Sequence, residues 1–531
     1  MTARVGSGAL VRPCCTAAVL VLLLACGADA APARTPAEIE RRRAEVSERL
    51  AAIDLESAAL EALRRGLPAH ADGHEAGGAA ERQRLEARLG ALADEKAALE
   101  RELRDLARVR TRNATGPLQP GDPAGLSPLD LGGQTGQVSS GQAFNPAISV
   151  IPDVAYYYDD RDGRGFDLLE GADGFAGPGH QGDDVHGHGH GALDRGFNLR
   201  EMELALSGAV DPYFDVWATL ALGTDGIAAE EVYVQTRSLL PGLQLRLGRF
   251  FSGVGHVNKQ HPHQWDFVDQ ALVHRAIFGG NLGDVGLQLT WLPSLPFYTL
   301  FGVEALQGDN GLLANQEHEA HAEFFADIPG PRLFTGFVKV APELGYSHTL
   351  QAGLSFGRSR SHQEATEFDD GDVDQALAGT AWFAATDWVW RYDSARPFGQ
   401  SDVTVQAEYV YRKKDLALVA RDGVAGVPGA AQVSSQDGLY AQSVYGIAPR
   451  WTVAGRLDVV GLTNRVAGPG AVLDYGASTR YSAAVTLNPT EFSRLRLQYT
   501  TGRVWRGERV GVNQLYVQFQ MSLGAHGAHR F

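Results

Sequence analysis

Between Phe197 and Phe250 the side chains change character at every second residue. Met202, Leu204, Leu206 and Val210 share one parity, and Glu201, Glu203, Ala205 and Ser207 share the other. Asp211-Pro212-Tyr213 breaks the run, and Phe214, Val216, Ala218, Leu220 and Leu222 resume it. A third run covers Glu231–Ser238. Leu240-Pro241-Gly242 then turns the chain, and Leu243, Leu245 and Leu247 alternate with Gln244, Arg246 and Gly248. Period two puts successive side chains on opposite faces of a sheet. Strands joined by turns this short are antiparallel neighbours. A soluble sandwich can show the same pattern. Here it recurs to the end of the chain, behind a secretory N-terminus, with long loops and short turns in alternation. That combination predicts an all-β transmembrane β-barrel of the outer-membrane kind.

Short turns fall near Asp211-Pro212, Pro241-Gly242, Pro293–Pro296, Gly345–His348, Ser394–Gln400, Ala448-Pro449 and Asn488-Pro489. Longer polar stretches fall between them, at 159–196, 223–229, 252–283, 307–331, 357–375, 412–437, 463–474 and 502–511. Together they predict about 16 antiparallel strands over 146–531, starting with Ile148–Tyr158. Leu495, Leu497 and Tyr499 should face lipid, with Arg494, Arg496 and Gln498 toward a polar, water-filled lumen. Trp382, Trp388, Trp390, Tyr409 and Tyr411 are candidates for interfacial girdles. The last run, Leu515 to Leu523, keeps its parity to a terminal Phe531, which resembles the signal read by bacterial barrel-assembly machinery.

Residues 1–30 read as a signal peptide: Arg4 and Arg12, an apolar core Thr16–Ala25, and Ala28-Asp29-Ala30 before a cleavage point. A competing reading takes Leu23-Leu24-Ala25-Cys26 as a lipoprotein box with Cys26 lipidated. Cys14, Cys15 and Cys26 are the only cysteines, so ordinary cleavage leaves no disulfide and no thiolate metal site. Residues 36–111 read as an α-helical coiled-coil segment in the periplasm. Ile39, Val46, Ile53, Leu60 and Leu67 recur every seventh residue. Leu85, Leu92, Leu99 and Leu106 do the same, interleaved with Leu89, Lys96 and Leu103. The break at 66–78, carrying His70 and His74, leaves two possibilities, a hairpin or an interrupted rod. The segment serves as a self-associating stalk, a peptidoglycan contact or a plain spacer. Residues 112–145 are a Gly-, Pro- and Ser-rich linker. The net charge of −16 argues against a nucleic-acid partner.

Chemistry concentrates in the sixteen histidines. One external loop carries His180, Asp183, Asp184, His186, His188 and His190, a donor set suited to Zn²⁺, Cu²⁺ or Ni²⁺, or merely a solvated loop. The loop after the fifth strand carries His256, His261, His263, Asp266, Asp269 and His274, with Trp265 and Phe267 between. That is the position of a pore-constricting loop, where these residues would set selectivity. The bland alternative has the two aromatics wedging it against the wall. Glu317, His318, Glu319 and His321 form a third group, and His526 and His529 lie near the end. No HExxH, G-x-S-x-G or P-loop pattern occurs, so no enzyme activity and no required cofactor are expected.

Phe144-Asn145-Pro146-Ala147-Ile148-Ser149-Val150, Gly248-Arg249-Phe250-Phe251-Ser252-Gly253, His261-Pro262-His263-Gln264-Trp265-Asp266-Phe267-Val268-Asp269 and the run from Ser522 to His529 carry a resemblance. The chain resembles bacterial outer-membrane proteins labelled zinc-regulated TonB-dependent receptors or porins. The resemblance implies an outer-membrane barrel and a link to zinc, without carrying over any ligands. Where a TonB-dependent receptor has a globular plug, this chain has a coiled coil and linker, as in some trimeric porins. The expectation is therefore a passive, homotrimeric outer-membrane porin for small solutes, linked to zinc or another divalent ion. Its alternatives are a plugless TonB-dependent metal receptor and a barrel that tethers the envelope through its stalk.

Overall fold

The computed structural model describes residues 146–524, apart from 163–164, 176–192, 225, 238, 368–372, 422–423, 426–428 and 469–470, together with scattered positions between Glu45 and Leu99. The first histidine loop (His180, Asp183, Asp184, His186, His188, His190), the signal region, the linker, His526, His529 and Phe531 lie outside the described residues.

The described residues form two units, divided between Leu103 and Arg104. In the first, the described positions are helical. Ile53 and Leu92, both at heptad positions, are fully buried. The Arg49 guanidinium grips the Glu95 carboxylate at 2.8 and 3.1 Å, so the two helical stretches meet side by side rather than lying in line.

The second unit is a closed barrel of 16 antiparallel strands. They are β1 (Ala147–Asp159), β2 (Gly196–Ala209), β3 (Phe214–Leu222), β4 (Ile227–Thr236), β5 (Leu243–Phe251), β6 (Gly283–Trp291), β7 (Tyr298–Leu306) and β8 (Leu333–Ala341). There follow β9 (His348–Ser359), β10 (Val373–Tyr392), β11 (Val403–Arg421), β12 (Ala431–Ala448), β13 (Trp451–Gly468), β14 (Ser478–Thr490), β15 (Ser493–Arg506) and β16 (Glu508–Met521). Each pairs with its sequence neighbour. The ring closes where β1 meets β16, from Asp153 opposite Gln520 to Asp159 opposite Gln514. Six of the seven short turns fall where the prolines and glycines place them, whereas β14 runs through Asn488-Pro489 and the chain turns just beyond, at Glu491-Phe492. The long loops are shorter than their polarity suggests. The stretch 412–437 is mostly ladder, with Lys413 opposite Ser435 and Lys414 opposite Ser434. The wall is therefore uneven: β3 and β5 to β8 have 9 residues, whereas β10 has 20 and β11 has 19.

Alternation sorts the faces as expected. On β15, Leu495, Leu497 and Tyr499 point out and are exposed, while Arg496, Gln498 and Thr500 point in and are buried. On β16, Leu515, Val517, Phe519 and Met521 point out, and Gln514, Gln518 and Gln520 point in. An apolar belt outside and a polar interior are the reverse of a soluble protein and suit a lipid surround.

The lumen differs from the water-filled channel expected. Its inward side chains are buried by chain that enters from the loops. Residues 165–175, including helix α1 (Gly165–Glu170), reach across to β11, β12 and β13, where Arg412, Gln436 and Asn464 donate to the carbonyls of Phe175, Gly174 and Asp173. The segment 252–282 between β5 and β6 fills the centre. Leu272, Val273, Ile277 and Phe278 pack there against Phe383, Tyr440 and Val460 of the wall. Phe278 meets Phe383 edge to face at 5.1 Å. Each such buried aromatic contributes about 2–3 kcal/mol.

Candidate functional site

The inward segment is shaped by its own sequence. Asn258 ties its two ends together. Its side-chain amide donates to the carbonyls of Ser252 and Leu282 at 2.9 and 3.0 Å, and its oxygen accepts the Leu282 N–H. Gly255 stands at φ 66° with its Cα against Glu408, where any Cβ would collide. Pro262 opens a single 3₁₀ turn, Pro262–Gln264, and the Gln264 side chain accepts the His261 N–H at 3.1 Å. That turn sets the directions of His261 and His263. Helix α2 (Leu272–Phe278) follows and ends at Gly279, φ 76°.

The histidines and aspartates do not share one ring around a pore. They are divided among three parts of the wall. His256 and His274 face β8, β10 and β11. His274 Nε2 lies 3.3 Å from a Glu408 oxygen. Glu408 also accepts the Val257 N–H and the Tyr440 hydroxyl, each at 2.8 Å. Lys339, which pairs with Asp387, donates to the Gly255 carbonyl at 2.7 Å.

Asp266 and Asp269 face the opposite, basic arc of β12 to β15. The Gln442 amide donates to Asp266 at 2.8 Å. Asp269 is buried between Arg456, at 2.9 Å, and Arg480, and also accepts from Gln498. Arg494 and Arg496 donate to the carbonyls of His263 and Trp265 at 2.7 and 2.8 Å. Burial alone would raise the Asp269 carboxyl. The Arg456 and Arg480 charges overcome it and hold the group down at about 2.

His261 and His263 face an acidic arc on β2 and β4. A β-bulge makes this arc. Thr219 of β3 pairs with Glu231, the next pair is Leu220 with Ala229, and Glu230 is the extra residue. Glu230 and Glu231 therefore both turn inward, which regular alternation forbids. His261 Nδ1 lies 2.9 Å from Glu230 Oε2 and 3.7 Å from Glu203 Oε2, and its Nε2 lies 2.9 Å from Glu231 Oε2. His263 Nδ1 lies 2.8 Å from Glu203 Oε2. The two imidazoles stack with centroids 5.9 Å apart, and Phe251 covers His261 at 4.9 Å. All five polar residues are buried. Burial by itself would depress the His261 imidazolium. The Glu203 charge and the hydrogen bonds to Glu230 and Glu231 reverse that and raise it well above its ordinary value. Ligand atoms of Glu203, Glu230 and His261 all lie within 4.8 Å of one another, close enough for one metal ion.

Sequence reasoning named the two histidines and missed Glu203, Glu230, Glu231 and Glu408. The readable signal was the Glu230-Glu231 pair, two adjacent acids where alternation should hold. Among the third group, His318 Nδ1 bonds the Phe325 carbonyl at 2.7 Å and Glu317 accepts from Asn315, so these residues shape their own loop. A small cleft is lined by Phe166, Leu193, Arg200, Trp265, Asp269 and Arg275 among others.

No family model matches the chain. An uncharacterized protein of Aquifex aeolicus (strain VF5) is 33% identical over 401 residues, which is 74% of this chain and 81% of the relative. The chain belongs to the family of that protein. Among solved structures, the chain is similar to a loop-deletion form of OmpT, an outer membrane protein of Vibrio cholerae, with 10% identity and a TM-score of 0.42 over 71% of this chain and 99% of that one. It is also similar to the outer membrane channel DcaP of Acinetobacter baumannii, with 12% identity and a TM-score of 0.41 over 71% and 96%. A third is an anion-selective porin from Comamonas acidovorans, with 9% identity and a TM-score of 0.42 over 71% and 99%. The fold of the chain stands on its own strand pairing. It is a closed barrel of sixteen antiparallel strands with an inward segment after the fifth.

Proposed function

We propose that this chain is an outer-membrane channel for small solutes whose passage is controlled by the inward segment and linked to zinc or another divalent cation. The observation that carries the reading is the segment 252–282, folded into a closed barrel and held on three arcs of wall at once. The apolar belt supports a place in the outer membrane. The grip of the segment makes a wide, nonselective pore a poor description and a narrow, selective one a good one. The helical stretches before the barrel suit a periplasmic stalk for a homotrimer, which light scattering of the detergent-solubilised full chain tests against a chain lacking 36–111.

Single-channel recording in a planar bilayer tests the reading. Stable steps that micromolar zinc blocks or modulates, with the zinc effect lost in His261→Ala/His263→Ala, are expected. Steps indifferent to zinc leave a general porin. A second reading, an energised receptor, is favoured by one observation, the filled lumen. Absence of any conductance would sink the channel and turn attention to that receptor.

A further inference from the structure

We propose that His261 Nδ1, Glu203 Oε2 and Glu230 Oε2 hold one transition-metal dication of the zinc class, which fastens the inward segment to β2 and β4. This gives the divalent ion of the function above a defined seat. It rests on the barrel and the docked segment, and not on the lumen being conductive.

Four observations converge on it. The first is distance. Metal bonds of 2.0–2.1 Å in a tetrahedral site separate ligand atoms by about 3.3 Å. The His261 nitrogen lies 2.9 Å from one carboxylate oxygen and 3.7 Å from the other, on either side of that value. The second is the outer partner. A metal-bound imidazole characteristically donates its other N–H to a carboxylate, which fixes the tautomer and strengthens the ligand. Here Glu231 lies 2.9 Å from His261 Nε2, and His263 steadies the Glu203 ligand at 2.8 Å.

The third is electrostatic. Three carboxylates turned together into a buried space repel one another; a protonated His261 offsets one of these charges, and a dication in place of its Nδ1 proton offsets more. The fourth is the bulge, which aims Glu230 at the point where Glu203 and His261 converge. One nitrogen and two oxygens suit zinc and its transition-metal neighbours. Calcium and magnesium prefer more ligands, all oxygen. Three protein ligands leave a fourth coordination position for water. A proton on Nδ1 competes for the same place.

The test uses the full-length chain in detergent, with His186→Ala, His188→Ala and His190→Ala in the background so that this histidine cluster does not add sites. Zinc chloride is titrated by equilibrium dialysis with elemental analysis, and heat-shifted gel migration checks that each barrel is folded. The background chain should take one zinc, unaffected by excess magnesium. Glu230→Gln, which keeps the side chain's shape, should weaken uptake at least ten-fold. His261→Ala should abolish it. Glu231→Gln, which keeps all three ligands, should weaken uptake without losing the equivalent. Zinc uptake unchanged in folded Glu230→Gln, or no uptake in the background chain, would overturn the site and leave a network of hydrogen-bonded ion pairs. Zinc bound by a barrel that never conducts keeps the site and removes the channel. Conductance without zinc binding does the opposite.

Discussion

Asp269 is where the inward segment meets two guanidiniums, and its replacement is the sharpest single-residue test of how the segment is held. Asp269→Asn leaves Arg456 and Arg480 facing a neutral amide. Breaking a buried pair by removing one partner costs on the order of 3 kcal/mol. Hydrogen exchange at Val268 and Leu272, whose N–H groups are held by Gln498 and Asp458, should quicken while the strands stay protected. The pH dependence follows from the same group. Its folded carboxyl lies at about 2, below the usual 3.9 of an unfolded aspartate. The pairing therefore contributes fully above about pH 4 and is lost as pH falls through about 2. Exchange at these two amides should be flat from pH 7 to pH 5, after correction for intrinsic rates, and should rise between pH 4 and pH 2. At this scale the sequence drew attention to His261, His263 and Asp269 as a cluster in the loop after the fifth strand. It hid their partners because partnership is tertiary: Glu203 lies 60 residues before His263. Glu230 was hidden for a second reason. The alternation was read as resuming at Glu231, so the bulge residue fell into the gap before the strand.

The strands were the most legible elements, since their outward parity survives wherever lipid requires it. Leu497 is a mid-strand example, half-exposed and opposite Val517 on one side and Val485 on the other. Leu497→Arg should destabilise the barrel by about 2–4 kcal/mol if the residue sits near the bilayer midplane, read as a lower urea midpoint in lipid vesicles. An unchanged midpoint would show that this face is not in lipid. Strand ends were less legible. Arg412, Lys413, Lys414 and Asp415 are polar on both faces, so the side chains look like a loop, yet the backbone ladder continues to Arg421. Main-chain hydrogen bonds do not depend on side-chain polarity. Beyond the apolar belt, period two simply stops being written in hydropathy.

For the whole molecule, the expected lumen and the observed one differ because periodicity describes walls and says nothing of what stands between them. Sixteen strands enclose room for a channel. Whether the room is empty depends on loops whose aromatic and charged residues find partners across it. Replacing residues 254–280 with a short Gly-Ser link should leave a folded, heat-shifting barrel and give conductance steps larger than those of the intact chain. Steps of equal size would show that the segment does not limit flow. The reach of its contacts also orders events in time. Asp269 finds Arg480 across 211 residues of chain, and His263 and Trp265 find Arg494 and Arg496 across 231. None of these partners is in place until β14 and β15 have joined, and such distant contacts form late because chain entropy must be lost first. The anchors on β2 and β4 lie only 30 to 60 residues away in the chain. The segment therefore has near partners that can take hold of it first and far ones that fasten it only when the last strands arrive, like a strap buckled at one end before the other.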